Sequence, residues 1–491
     1  MRIPLILVFT LLLFGACSKE YKGDYIENQA PETAFLADTI LRSGDNRFES
    51  VIQVSWSGSD ADGYVKGFEL SMDGVIWTYT TSQDSILTLS LPSSSDTFDF
   101  TLYVRAIDND GQHDLSPAQL TYPVKNSNPS VRFIIPVGSP TRSFPAVKYF
   151  WEGTDPDGNS SLDHYELIWN DTTQAPLILS PSFTEAGLVA KDLNTSTSAC
   201  TVYPGTLSTP FAKDLPGMKL GDANTLYIRA VDKVGAQSDW IPAPTIFIRK
   251  PVSDILFINA QRSSFNRANI QGFYSNQIIN ALGKSFDTLQ AGPEGAISTD
   301  LSSDPSTQDR VFSFFKKIFV YSENSEFILS LMQRSSTQFF TKGGKMMLIT
   351  EGNDAIEDQP AYLDFSPIGA YTPRPSNVSL LMNLNDSIYS SIANYPTIQN
   401  GSTILSGIRP FSLANNNSSF KYEALYNGHI TQDASGSISI WQGNSVLSAK
   451  RVRLADNQTD FVIVMLPVYN LAHNVALDTW FQRMLVDELA F

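Results

Sequence analysis

Val51, Gln53 and Ser55 alternate with Ile52, Val54 and Trp56, and Leu102, Val104 and Ala106 alternate with Tyr103, Arg105 and Ile107. A period of two turns one face of a strand to a core and the other to solvent. Asp-Gly steps and Pro/Ser clusters punctuate these stretches as turns. After Pro251 the pattern changes to continuous apolar runs, Ile255–Ile258, Ile318–Tyr321, Met346–Ile349 and Phe461–Met465, as in strands buried on both faces. Between them lie a helical stretch near 267–283, helical spacing of Phe327, Ile328, Leu331 and Met332, and one apolar face of Leu477, Trp480, Phe481, Met484 and Leu485. Strands alternating with helices predict a parallel sheet with right-handed crossovers. Tyr422–Tyr426, Ser437–Trp441 and Arg451–Leu454 read as short added strands in an Asn/Ser-rich stretch.

The N-terminal half repeats itself. Trp56-Ser57-Gly58-Ser59-Asp60-Ala61-Asp62-Gly63 and Trp151-Glu152-Gly153-Thr154-Asp155-Pro156-Asp157-Gly158 share Trp-x-Gly-x-Asp-x-Asp-Gly. Thr101–Asp108 matches Thr225–Asp232 in the same order, with an insertion in the second copy between about Trp169 and Thr225. Both copies resemble fibronectin type III and related immunoglobulin-like modules. The resemblance makes Trp56 and Trp151 the buried tryptophan of the second strand, and sets Tyr103-x-Arg105-Ala106 and Tyr227-x-Arg229-Ala230 on the penultimate strand. The expected fold is therefore multidomain, with two antiparallel β-sandwiches followed by an α/β domain with a mainly parallel sheet. The divisions are 1–16 leader, 17–30 polar tether, 31–127 first module, 128–250 second module and 251–491 α/β domain.

Arg2 precedes an apolar run from Ile3 to Phe14, too short to span ~30 Å of hydrocarbon but suited to a signal-peptide core. Leu13-Phe14-Gly15-Ala16-Cys17 resembles the lipobox of bacterial lipoproteins, with Phe14 where leucine is commonest. The resemblance implies cleavage before Cys17, lipidation of Cys17, and, from Ser18, an outer-membrane address. Ser18-Lys19-Glu20 is similar to the charged export signals of Bacteroidetes surface lipoproteins. With Cys17 lipidated, Cys200 has no partner for an internal disulfide.

The chain carries 50 acidic against 34 basic residues, a net charge of −16, and only two cysteines and four histidines. That balance repels phosphate backbones, so no nucleic-acid partner is expected, and it excludes thiolate zinc and iron–sulfur sites. The Asp-x-Asp-Gly loops suit calcium, with Asp60, Asp62, Asp108 and Asp110 in the first module and Asp155, Asp157 and Asp232 in the second. Turn chemistry is the competing reading of the same residues. No other cofactor is expected.

The C-terminal region resembles the class I glutamine amidotransferase-like (flavodoxin-like) superfamily, through Gly343-Gly344 before Met346–Ile349, the late β-meander, and Val464-Met465-Leu466-Pro467 before the last helix. The family's nucleophile belongs directly after Ile349, where this chain reads Thr350-Glu351-Gly352-Asn353-Asp354; the His-x-Glu pair is replaced by His473-Asn474-Val475. The acyl chemistry is therefore not expected. The loop Asn259–Ser264 also lacks the glycines a pyrophosphate requires. Glu351, Asp354 and His473 are the candidate ligand loop, with Glu351 expected on an open, hydrated turn and His473 its prospective partner across the sheet end. The expected protein is a non-catalytic, lipid-anchored envelope protein whose sandwiches present the last domain to a glycan or protein partner. The alternative is a carbohydrate- or peptide-acting hydrolase using paired carboxylates. Exposed aromatics for sugar stacking would be Tyr422 and Trp441.

Overall fold

The computed structural model describes residues 27–36, 51–88, 97–156, 158–206, 208–261, 267–291, 300–352, 366–371, 373 and 375–491. Cys17, Asp157 and Asp354 lie outside the described residues. The chain divides into two compact units, 1–127 and 128–491. No described helix is long and apolar enough to cross a membrane.

The first unit is a sandwich. Strands β1 (Glu32–Phe35), β2 (Val51–Ser59), β3 (Val65–Ser71), β4 (Thr78–Thr80), β5 (Asp84–Thr88), β6 (Thr97–Asp108) and β7 (Ala118–Lys125) form two sheets, β1-β2-β5 and β4-β3-β6-β7, with every pairing antiparallel. The period of two is realised: Val54, Trp56, Leu102, Val104 and Ala106 are buried in one core. Trp56 meets the edge of Phe68 at 6.2 Å. Gly58 of the repeat motif lies under that phenylalanine, and a Cβ there would come within 2.9 Å of its ring.

The second unit begins with the second sandwich. Its strands are β8 (Ser130–Ile134), β9 (Arg142–Ser143), β10 (Ala146–Thr154), β11 (Leu162–Trp169), β12 (Leu177–Leu179), β13 (Glu185–Ala190), β14 (Thr197–Pro204), β15 (Leu215–Lys219), β16 (Asp222–Asn224), β17 (Leu226–Asp232), β18 (Ile241–Pro242) and β19 (Ile246–Ile248). They order as β15-β14-β13-β10-β8, β12-β11-β17-β18 and β16-β19-β9. The insertion expected after Trp169 supplies β14 to β16, while β12 and β13 hold the places of β4 and β5 in the first module. Trp151 packs on Tyr165 at 5.9 Å, as Trp56 does on Phe68, and Gly153 gives way to the Tyr165 ring as Gly58 does to Phe68. The Trp-x-Gly of each copy is thus one packing unit: an indole core residue, and a glycine that admits the ring of the neighbouring strand.

On the outer face both modules build the same ion pair. Arg105 Nη2 lies 2.6 Å from Glu69 Oε2 and its guanidinium stacks 4.0 Å over Trp77. Arg229 pairs with Glu166 and stacks 4.5 Å over Trp240. The arginines share a motif position, but Trp77 precedes its arginine and Trp240 follows it.

The rest of the second unit holds a large mixed sheet and a separate four-stranded antiparallel sheet, ordered 404–405, 378–383, 431–434 and 437–440. Its elements are β20 (Ile255–Asn259), α1 (Arg267–Leu282), β21 (Asp287–Gln290), α2 (Pro305–Phe312), β22 (Lys317–Ser322), α3 (Ser325–Ser335), α4 (Thr337–Thr341), β23 (Lys345–Thr350), β24 (Ile368–Tyr371), β25 (Val378–Asn383), β26 (Ser387–Tyr389), β27 (Ile398–Gln399), β28 (Ile404–Leu405), β29 (Phe411–Leu413), β30 (Phe420–Gly428), β31 (Thr431–Ala434), β32 (Ser437–Ile440), β33 (Val446–Arg453), β34 (Gln458–Val464) and α5 (Val475–Gln482). Strands β21-β20-β22-β23-β34 are parallel. The sheet continues antiparallel through β33, β30, β26 and β27. The expectation of a mainly parallel sheet is corrected to a mixed one, because β30, β33 and β34 follow one another as antiparallel neighbours without intervening helices. The apolar runs behave as expected: Ile255 and Phe257 join α1 and α5 in one core, while Leu256 and Ile258 face α2, α3 and α4 in another.

The second sandwich and the mixed sheet share that latter core. Phe144, between β9 and β10, is fully buried in it and meets Phe315 at 5.0 Å. Arg249 covers Phe144 at 4.3 Å, Arg142 pairs with Asp300 at 2.5 Å, and Lys148 reaches Asp304 at 3.2 Å.

Arg229→Met is expected to destabilise the second unit by about 2 kcal/mol, from the lost charged hydrogen bond and the lost stacking. A double-mutant cycle with Trp240→Leu, followed by calorimetry, should return about 1 kcal/mol of coupling. Zero coupling would make the stack incidental.

Candidate functional site

The connections out of β20 reverse direction: β21 lies on one side of it and β22 on the other. The carboxyl ends of strands at such a switch point form a crevice, and ligands of open parallel sheets bind there. Asn259, Gln261, Ser322 and Thr350 are buried polar residues at these ends.

Glu351 follows β23 directly. Its Oε1 accepts hydrogen bonds from Tyr321 Oη at 2.9 Å and Tyr469 Oη at 3.3 Å. Tyr274 of α1 packs against Tyr321 with the rings tilted by 32° and their centroids 4.8 Å apart. Close backbone contact seals the turn: a Cβ on Gly352 would fall 2.0 Å from Arg409 Cβ, and Gly352 N–H donates to Gly407 O at 2.8 Å. The hydrated, open turn expected from Gly352 is thereby corrected. Glycine serves here to let the 407–409 segment close over the backbone.

Burial is the main cause that pushes the Glu351 carboxyl up to about 7, against the two tyrosine hydrogen bonds, which favour its charge. Burial also raises Tyr274 and Tyr321, and lifts Tyr469 to about 12, so the phenols of Tyr321 and Tyr469 stay protonated and donate to Glu351. His473 is exposed, stacks on Phe273 at 4.8 Å, and its Nε2 bonds the Tyr469 carbonyl at 3.0 Å. The expected direct Glu351–His473 pairing is replaced by an indirect link through Tyr469. The tyrosines were missed in the sequence, although Tyr321 closes an otherwise apolar strand and Tyr469 follows Pro467 at the next strand end.

In the first module the acidic loop is partly turn chemistry. Asp108 Oδ1 accepts from the backbone N–H of Asp110 at 2.8 Å and of Gln112 at 2.9 Å, and its Oδ2 accepts from Asn28 at 2.6 Å. Asp62 accepts from Gln29 N–H at 3.0 Å, and the exposed Asp110 from Asn109 at 3.0 Å. In the second module Asp232 Oδ1 accepts from the N–H groups of Val234, Gly235 and Ala236. Asp155 is buried at the start of its loop. Asp60 differs: burial raises its carboxyl, a hydrogen bond from the Asp62 backbone opposes this, and repulsion from Asp62 and Asp108 adds to the rise. Among the described residues no group of three or more His, Cys, Asp or Glu is arranged to hold a metal.

Tyr422 is buried and Trp441 is half-buried against the core, its Nε1 donating to Asn444 O at 3.0 Å, so neither offers a free stacking face. Cys200 is buried in the second sandwich, and burial pushes its thiol up to about 12.

No family model and no curated protein matches the chain. Among solved structures it is similar to fibronectin(III)-like modules of Clostridium thermocellum CbhA, with 13% identity over 44% of this chain and 94% of that one, TM-score 0.16. A two-domain fibronectin type III segment of chicken tenascin gives 14% identity over 45% and 99%, TM-score 0.20. The PKD1 domain of Vibrio anguillarum Epp gives 16% identity over 20% and 98%, TM-score 0.15. These neighbours are β-sandwich modules.

Glu351 makes stability depend on pH. Its folded value, about 7, lies above the ordinary 4.5, so its contribution is complete below about pH 4.5 and is lost as pH rises through about 7. The loss is at most about 3 kcal/mol. Melting curves of the protein and of Glu351→Gln between pH 4 and 8 should converge at the acid end and diverge in favour of the variant at the neutral end. Parallel curves would mean a carboxyl of ordinary acidity.

Proposed function

We propose that the chain is a lipid-anchored protein of the bacterial outer membrane, that its two sandwiches serve as spacer or binding modules, and that its C-terminal region is an amidotransferase-like α/β domain that binds a glycan or protein partner without catalysis. The observation that carries this is Glu351. On the resemblance given for this region it would stand where the family carries its nucleophile, and its carboxyl is held by two tyrosine hydroxyls. That cluster suits recognition of a neutral ligand offering hydroxyl or amide donors, which is the chemistry of a glycan or a peptide bond.

The purified protein is expected to turn over none of a panel of glutamine, ester, peptide and glycoside substrates. A bound glycan should protect the backbone amides around Glu351 and Tyr469 from hydrogen exchange. A carboxyl near 7 is also the poise of a general base, so turnover that vanishes in Glu351→Gln would replace this reading with the hydrolase. For the anchor, fatty-acid labelling should disappear in Cys17→Ala; a label retained in that variant overturns it.

Asp60 favours a second role, calcium binding by the first module. Its carboxylate is repelled by those of Asp62 and Asp108, and a cation would relieve that repulsion. Millimolar calcium should raise the melting temperature of the protein, and Asp60→Asn should abolish that rise. An unchanged melting temperature leaves turn chemistry alone.

A further inference from the structure

The seam between the second sandwich and the mixed sheet holds a cavity of about 380 Å³. Its apolar wall comes from Ile134, Ile135, Pro140, Phe150, Pro244 and Ile246, and its far side from Ser303 and Asp304 ahead of α2. The loop at its mouth is apolar and exposed: Ile134 is 44%, Ile135 48% and Val137 101% accessible. Apolar side chains grouped at the rim of a cavity mark an interaction site more often than a passive surface.

The backbone at this wall says what kind of molecule fits. Trp151 N–H donates to Thr184 O and Ala190 N–H to Pro145 O, so the odd-numbered residues of β10 turn their backbone groups toward β13. Ala146, Lys148 and Phe150 turn theirs the other way, toward β8. That ladder runs from Thr154↔Ser130 to Phe150↔Ile134 and stops. The next rung would set Pro136 opposite Lys148, and proline has no N–H to give. Instead the Pro136 carbonyl accepts from Ser139 N–H at 3.2 Å and Ser139 Oγ at 2.8 Å, in a turn with Gly138 at φ 78°. The chain peels away and the cavity opens where β8 would have continued. Ala146 is already satisfied, through Phe144 O and Ser143 Oγ. Lys148 N–H and C=O have no hydrogen-bond partner among the described residues.

We propose that this cavity receives an apolar side chain of an extended peptide segment from a partner protein, whose backbone pairs with Lys148 in the place β8 vacates. One residue offering both N–H and C=O on the same edge is half of an antiparallel hydrogen-bonded pair, and another peptide residue completes it. A fatty chain would fill the apolar wall and leave both groups unmet. The rim asks for no charge from the partner: the Lys148 ammonium lies 3.2 Å from both Glu185 Oε1 and Asp304 Oδ1, and Arg310 also faces Asp304, so two cations answer two carboxylates.

The test uses the whole purified protein and capped pentapeptides, acetyl-Lys-Thr-X-Thr-Lys-amide, with binding read by saturation-transfer NMR. Leucine or phenylalanine at X should bind at least about tenfold more tightly than alanine, and N-methylation of X should cost about tenfold, one hydrogen bond's worth. Ser139→Trp and Ser303→Trp, both at exposed rim positions, should block binding, and Ser303→Trp should do so with the melting temperature unchanged. Absence of binding at millimolar peptide overturns the proposal. So does equal binding of the N-methylated peptide, or binding that survives both tryptophan variants. Displacement of the leucine peptide by octyl glucoside, with no preference among the peptides, would assign the cavity to amphiphiles instead.

Discussion

One buried ring governs the second unit. Phe144 belongs to the second sandwich by sequence and to the mixed sheet by packing, where it meets Phe315 at full burial. Extracting an aromatic side chain of that size from a core costs on the order of 3–5 kcal/mol. The polar contacts around it raise that cost, since Arg142–Asp300, Arg249–Asp300 and Lys148–Asp304 would be separated at the same time. The sandwich therefore behaves as a third layer of the mixed-sheet domain. The cavity beside Lys148 inherits its walls from this arrangement, because two come from the sandwich and one from the approach to α2.

The repeated module was legible because its signature residues act locally. Trp56 and Trp151, with Gly58 and Gly153 beneath the rings of Phe68 and Tyr165, are fixed by contacts between neighbouring strands. The parallel strands were legible for a similar reason, since helices on both faces demand the unbroken apolar runs Ile255–Ile258 and Met346–Ile349. The extent of the antiparallel half was not. Its strands pair across a polar, Asn/Ser-rich stretch whose edge positions tolerate almost any side chain. The seam was illegible too, because Phe144 and Asp300 are distant in sequence and neither carries a motif.

The candidate site shows the same division. Its position could be read from the place of Glu351 after a buried strand. Its character could not, because burial of that carboxyl depends on Tyr321, Tyr469 and the 407–409 segment closing over Gly352. A turn rich in Gly and Asn looks hydrated when its neighbours are unknown. The acidic loops carry the complementary lesson: Asp108 and Asp232 are spent on backbone N–H groups, as turn propensity would have it, while Asp60 is half-buried against the repulsion of Asp62 and Asp108.

The buried thiol of Cys200 has a chemical consequence. Burial holds the thiol well above its ordinary value, which leaves a very small thiolate population at neutral pH, and the thiolate is the species that attacks disulfides and oxidants. Thiol exchange at this position is therefore slowed by that population as well as by the closed sandwich around it. Maleimide or iodoacetamide applied to the native protein would bypass it. A cysteine engineered onto the surface could then carry a spectroscopic probe with Cys200 left in place, and the unmodified core would report on itself only when the sandwich opens.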